Sequence, residues 1–219
     1  VDTWRRGPAL RRQVFYRSVL EMAWRIKTEP AALPVIVAEA RDHCDYDSSD
    51  RDNYFRQLIK AAMKTVERWE WRSLITQTLE IRLDAFPTGK DDVIYVPRPR
   101  LISVTSINYV DTTGTTQTLS SSLYSTDVYS EPGRIKPAYG QVWPTTRSST
   151  MNAVTIEVEA GYGPAHANVP EDTHQLIYLL VKHFWDNPAA VTDVQVKDLP
   201  MGVDALMRPC HDVNVLEFV

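Results

Sequence analysis

Tyr54-Phe55-Arg56-Gln57-Leu58-Ile59-Lys60-Ala61-Ala62-Met63-Lys64-Thr65-Val66-Glu67-Arg68-Trp69-Glu70-Trp71-Arg72-Ser73-Leu74-Ile75-Thr76-Gln77-Thr78-Leu79-Glu80-Ile81-Arg82-Leu83 carries two periods in one stretch. Through Trp69, the apolar residues Tyr54, Phe55, Leu58, Ile59, Ala62, Val66 and Trp69 recur at i, i+4 and i+8, which lines one side of an α-helix. Past Trp71, Leu79, Ile81 and Leu83 alternate with Thr78, Glu80 and Arg82, the two-residue period of a strand with one buried face. Ser48-Ser49-Asp50 supplies an N-cap signal ahead of the helix. The chain passes here from helix to sheet.

Downstream the short period persists. Val93 to Val96, Leu101 to Val110, Thr115 to Leu119, Tyr124 to Tyr129, Arg134 to Pro137 and Ala153 to Glu159 read as strands. Phe86-Pro87-Thr88-Gly89 and Asp111-Thr112-Thr113-Gly114 are turns between them. Strands in succession, with no helical run between them, build an antiparallel module rather than a βαβ sheet. Helix returns at Pro170, a suitable first helical residue, with Glu171 and Asp172 facing the positive end of the dipole. Its stripe is Leu176, Ile177, Leu180, Val181 and Phe184, and Asn187-Pro188 ends it.

Upstream, Pro34 to His43 reads as a helix, and residues 9–27 have helical propensity behind Pro8. The apolar residues of that first segment do not settle on one narrow face. The expected fold is α+β: a helical bundle with an inserted antiparallel β module of short strands and an extended C-terminal tail. The divisions are a helical arm at 1–30, a helical core from 31–72 plus 165–187, the β module at 73–164 and the tail at 188–219.

Composition bounds the function. The 219 residues are enough for a real core. A net charge of −4, from 24 Lys+Arg and 28 Asp+Glu, excludes a general nucleic-acid coat, which needs a basic excess. The apolar run Leu176 to Val181 falls far short of the ~20 residues that span a bilayer, so no membrane partner is expected. Arg5, Arg6, Arg11, Arg12 and Arg17 interrupt the N-terminus, unlike a signal peptide. Two cysteines, Cys44 and Cys210, cannot staple such a chain, which fits a soluble protein that works in a reducing compartment or was assembled in one. Residues 1–30 hold seven Lys/Arg and three Asp/Glu, whereas 171–219 hold three and eight. Opposite ends of this kind are either solvated or used in head-to-tail contacts between copies.

No set of residues reads as a catalytic centre. His43-Cys44 and Cys210-His211 offer two Cys and two His, but adjacent residues do not share one zinc readily. His174 and His183 lie nine residues apart, off a common helical face. Gly161-Tyr162-Gly163 lacks the third glycine and the lysine of a phosphate loop and reads as a turn. Asp91-Asp92 and Glu171-Asp172 sit at a turn and a helix start, where carboxylates are structural. No metal or cofactor is expected, and the protein is expected not to be an enzyme. Trp69, Trp71, Trp143 and Trp185 read either as anchors in a core or interface, or as a stacking platform for sugars or bases.

The order of these pieces resembles the head–tail connector (adaptor) proteins of tailed bacteriophages and phage-like particles. The resemblance runs from about Leu33 to Pro209. It begins with Val37-Ala38-Glu39-Ala40, continues through Tyr54 to Ala62, Val66-Glu67 and Arg72 to Thr78, and reaches Phe86-Pro87. Val96-Pro97 through Pro99, Ile102-Ser103-Val104 and Tyr109-Val110-Asp111 with Gly114 are its most characteristic part. Trp143-Pro144, Ala160-Gly161-Tyr162-Gly163, Val169-Pro170 and Leu199-Pro200-Met201-Gly202-Val203 close it. The chain departs from the family in residues 1–30, which extend beyond the usual start, and at Asp186-Asn187-Pro188, where the family carries an Arg-bearing segment.

The resemblance implies a homo-oligomeric ring, dodecameric, below a portal protein in the virion neck, assembled in the host cytoplasm. Such a ring extends the channel for packaged double-stranded DNA, which passes without specific binding, and offers a docking surface to a stopper or tail completion protein. The other readings are a tail completion or stopper component, and a carbohydrate-binding module or enzyme using the tryptophans. The C-terminal stretch is apolar for a chain end, and chain ends fray unless docked. Val213, Val215, Leu216, Phe218 and Val219, with Arg5, Arg6, Arg11 and Arg12, are therefore the candidate contacts to a neighbouring subunit or the portal.

Overall fold

A computed structural model describes residues 22–88 and 92–188. These form an α+β fold of two units, one from residues 22–29 and 77–161 and the other from 30–76 and 162–188.

The first unit is built of strands: β1 (Ala23–Thr28), β2 (Gln77–Leu83), β3 (Ile94–Tyr95), β4 (Leu101–Val110), β5 (Thr116–Thr118), β6 (Tyr124–Asp127), β7 (Arg134–Pro137) and β8 (Val154–Ala160). A five-stranded sheet runs β1-β2-β8-β4-β5 and a three-stranded sheet runs β3-β7-β6. All pairings in both sheets are antiparallel. Register follows from the apolar alternation, because a slip of one residue turns every side chain to the wrong face. Ile156 of β8 stands opposite Ile81 of β2 and Ile107 of β4, and Val158 stands opposite Leu79 and Val104. These residues share one core cluster with Ile94, Val96, Leu101 and Ile135.

The other face of β1, β2 and β8 is polar. Glu80 lies between Arg25 and Glu157 in the ladder, with Arg25 at 3.0 Å and Arg82 at 2.8 Å. Burial works to raise the Glu80 carboxyl, and the hydrogen bonds and charges of the two arginines outweigh it, so the group titrates below its usual range. Lys27 pairs with Glu157 beside them.

Strand β1 corrects the expected N-terminal helix: residues 23–28 are extended, while residues 9–21 lie outside the described part. Trp24 stands opposite Ile81 and Ile26 opposite Leu79, so Met22, Trp24 and Ile26 cover the sheet core at a period of two. Pairing with β2 overrides a helical preference that gave no single apolar face.

The β4–β5 turn is organised by Asp111. Its carboxylate accepts from the backbone N–H groups of Thr113 (2.9 Å) and Thr115 (3.0 Å), the Thr113 hydroxyl and the Gln117 amide (3.0 Å). The Thr113 hydroxyl and Gln117 amide, followed by the Thr115 N–H, lower its pKa from 3.8 to about 2. A carboxyl depressed in the folded state stabilises it fully above the unfolded pKa, and that stability goes as pH falls toward the folded one. The turn is therefore expected to loosen between about pH 4 and pH 2. Backbone amide shifts of Thr113 and Thr115 should follow this titration in the native chain and lose it in Asp111→Asn.

The second unit is helical: α1 (Val37–His43), α2 (Asp52–Trp69) and α3 (Glu171–Asp186). Phe55, Ile59, Ala62 and Val66 of α2 meet Ala40 of α1 and Leu176, Ile177, Leu180 and Val181 of α3 in one core. Two expected helix starts shift. The N-cap of α2 is Arg51, with no side-chain cap, and the Ser48-Ser49-Asp50 signal forms a turn ahead of it, where Ser49 carbonyl accepts the Asp52 N–H at 3.2 Å. Pro170 is the N-cap of α3 with ψ 147°, so Glu171 is the first helical residue.

Helix α2 ends where the period changes. Arg72 N–H returns to the carbonyl of Glu67 at 3.2 Å, and Trp71 takes a positive φ of 54°, a position usually given to glycine. The buried Glu67 carboxylate accepts the Leu74 N–H at 3.0 Å. Segments 74–76 and 162–163 then pair as a short parallel bridge, Tyr162 N–H to Leu74 carbonyl at 3.1 Å and Thr76 N–H to Gly163 carbonyl at 2.9 Å. Glu67→Ala removes the acceptor for a buried N–H and is expected to cost about 1–3 kcal/mol. Glu67→Gln, which keeps an oxygen there, should recover part of that loss in a urea unfolding series.

Candidate functional surfaces

Of the candidate tryptophans, Trp143 belongs to the β unit and Trp69, Trp71 and Trp185 to the helical unit. Trp143 lies in the β unit, stacked on Phe86 at 4.8 Å and 5°, and its Nε1–H donates to the Asp92 carbonyl at 3.0 Å. Trp185 lies in the helical unit, stacked on Phe55 at 4.7 Å with Tyr46 at 5.1 Å. Trp69 is 42% exposed at the far end of α2, fourteen residues from Phe55, or ~21 Å along the helix axis. Two of the faces that a sugar ring would use are thus taken up by packing.

Two grooves open in the helical unit. One, of about 460 Å³, is apolar at Ala31, Leu33, Ile36 and Pro164, with Arg56 and His166 as its ionisable lining groups. The other, of about 510 Å³, lies between Asp50, Arg51, Tyr54, Trp185 and Pro188. The Arg51 guanidinium stands 5.7 Å from the Trp185 ring and 5.8 Å from that of Tyr46. Hydrogen bonds from the Ser48 and Tyr46 hydroxyls hold the Asp50 carboxyl below its usual range. Neither groove sets a nucleophile beside a base.

The remaining candidates among the described residues are placed as follows. Cys44 is buried, its thiol pushed up chiefly by burial, and the neighbouring His43 ring lies 5.7 Å from that of Tyr178. Among the described residues no group of His, Cys, Asp and Glu is arranged to hold a metal ion. Buried His174 uses Nε2 on the His166 carbonyl at 3.0 Å and Nδ1 toward Glu171 at 3.4 Å. Gly161-Tyr162-Gly163 is the exit from β8, and Gly163 packs so closely on Asn168 that a Cβ there would lie 2.4 Å from the Asn168 side chain. No helix among the described residues is long and apolar enough to cross a membrane.

Val213, Val215, Leu216, Phe218, Val219, Arg5, Arg6, Arg11 and Arg12 lie outside the described residues, as do Asp91, Cys210 and His211. The β unit also carries an exposed apolar turn. Gln141 N–H bonds the Ala138 carbonyl at 2.9 Å, Gly140 sits at φ +74°, and Tyr139 and Val142 are almost wholly exposed. Tyr139-Gly140 was the available signal; that the apolar side chains turn outward is a tertiary fact.

An antiparallel β unit inserted between helices defines the fold, and the same fold occurs in gene transfer agent (GTA) particles. A chain of the virion of the native GTA particle matches with a TM-score of 0.69 at 21% identity, over 85% of this chain and 93% of that one. A chain in the neck of the empty GTA particle, computed with C6 symmetry, matches with 0.69 at 21%, over 86% and 94%. A chain in the neck of the native particle, computed with C12 symmetry, matches with 0.65 at 24%, over 86% and 94%. At these identities the likeness is one of fold. No protein-family model matches the sequence, and no curated protein matches it.

Proposed function

We propose that the protein is a structural component of the neck of a phage-like particle, a head–tail connector (adaptor) and not an enzyme. Copies close into a dodecameric ring below a portal, extend the channel for packaged DNA and present the docking surface for a stopper or tail completion protein. The ring assembles in the host cytoplasm and works in the virion without a cofactor.

The observation that carries this reading is the match over nearly the whole length of chains from GTA necks, one of them computed with C12 symmetry. Physical features agree with it. A closed ring needs two different faces per copy that meet by rotation. The turn at Tyr139 and Val142 and the apolar groove at Ala31 to Ala38 are surfaces of a kind that serve contact better than catalysis. A stopper or tail completion component is the weaker reading, because those proteins resemble small β-barrels without flanking helices. The sugar-binding reading is weaker, because Trp143 and Trp185 each spend a ring face on packing against a phenylalanine.

The test is electron microscopy of the purified protein mixed with the portal of its own particle. A second ring of density under the portal is the expected result. Free portals beside monomers, at micromolar concentrations of both, would overturn the reading.

A further inference from the structure

Helix α2 turns one row of charge outward. Arg56, Lys60, Lys64 and Arg68 follow at four-residue steps, all exposed, and the exposed residues among them, Gln57 and Ala61, are neutral. The two carboxylates of the helix are elsewhere, Asp52 on Arg41 at 3.1 Å and Glu67 in the core. Among the described residues Arg56, Lys60 and Arg68 enter no ion pair. Each step advances ~6 Å, so the row is ~18 Å long. Like charges at i, i+4 disfavour a helix, and three such pairs follow one another here. A face with no task beyond solvation is better served by alternating signs, and this one stands in a chain of net charge −4.

We propose that this face of α2 binds the phosphate backbone of duplex DNA. A duplex carries one negative charge per about 1.7 Å of axis, so the row spans about ten phosphates. Lysine and arginine heads on long stems reach phosphate oxygens without reading bases, which leaves a duplex free to slide. Net charge had argued against affinity for DNA; the local sign on one helix face argues the other way. That the duplex meets this face inside a ring rests on the connector reading, whereas the binding itself does not. The competing occupant is an acidic protein segment, such as the C-terminal stretch of another copy.

The experiment is fluorescence anisotropy of a labelled duplex titrated with the full chain over a series of salt concentrations. The native protein should bind at low salt. Arg56→Gln, Lys60→Gln and Arg68→Gln together should weaken binding about tenfold or more at low salt and flatten the slope of log K against log salt by about 2.7, or 0.9 per lost contact. The thermal midpoint of this variant should stay level or rise, because like-charge pairs are removed. A control variant, Lys136→Gln with Arg147→Gln in the β unit, should leave the slope unchanged. No binding by the native chain, an unchanged slope in the triple variant, or an equal loss per charge in the control would each overturn the proposal. Tighter binding of a polyglutamate competitor at equal charge would overturn it in favour of a protein partner. The two readings fail separately: a missing ring under the portal with DNA binding intact removes the connector, and a ring with an unchanged salt slope removes the DNA surface.

Discussion

Phe55→Ala is expected to lower the unfolding free energy by about 3–5 kcal/mol, the largest loss of any single truncation in the helical unit. Phe55 is fully buried on α2 and lies in the core that α1 and α3 complete. Truncation removes the transfer energy of a ring and leaves a void that the surrounding helices fill only in part. It also removes the surface on which Trp185 stacks at 22°, an aromatic contact worth about 0.5–1.5 kcal/mol beyond its area. Phe55→Leu, which keeps most of the volume, should lose much less. Urea unfolding followed by tryptophan fluorescence checks both, and the native-state emission of Phe55→Ala should shift to the red as Trp185 gains water. A loss below about 1 kcal/mol would mean that Trp185 swings into the void, and the groove at Arg51 and Tyr54 would then close with it.

The same ring marks what could be read in the chain before its fold was known. Phe55, Ile59, Ala62 and Val66 repeat at helical spacing because one helix supplies one wall of a core, so α2 is written locally. Strands β2 and β8 are written the same way at a period of two, since each has one buried and one polar face. Strand β1 is not. Its alternation at Met22, Trp24 and Ile26 is short and sits behind residues of good helical propensity, and only the edge of β2 decides its conformation. The Ser48-Ser49-Asp50 cap failed for a related reason: Asp50 is held by Ser48 and Tyr46, and the helix begins two residues past it, behind Arg51. Candidate surfaces were less legible still. The basic row on α2 is visible as four-residue spacing once the helix is known, but net charge and end-to-end asymmetry concealed it. The outward turn of Tyr139 depends on what does not pack against it, and no local pattern records an absence of neighbours.

Ile156→Ala is the corresponding test of the β unit, with an expected loss of about 2–5 kcal/mol. Ile156 occupies the middle strand of five and is opposed on both sides by isoleucine, Ile81 from β2 and Ile107 from β4, all three without exposed surface. Its side chain therefore touches both halves of the sheet, and the void left by truncation cannot be closed by the movement of one edge strand. The adjacent residue supplies the control. Glu157 points to the opposite face, where it meets Lys27 of β1 at the surface. Glu157→Ala should change stability by about 0–1 kcal/mol, as expected for an exposed ion pair. The two variants differ by one position in the chain, share a strand and share its backbone bonds, so the difference between them isolates which face is buried. Denaturant unfolding monitored by the near-ultraviolet signal of Trp143, which stacks in the same core, reads both. A large loss at Ile156 with little at Glu157 fits the antiparallel register. Equal losses would mean that both faces of β8 are covered, and the polar face of Glu80, Arg25 and Arg82 would then have to be sought against a partner rather than in water.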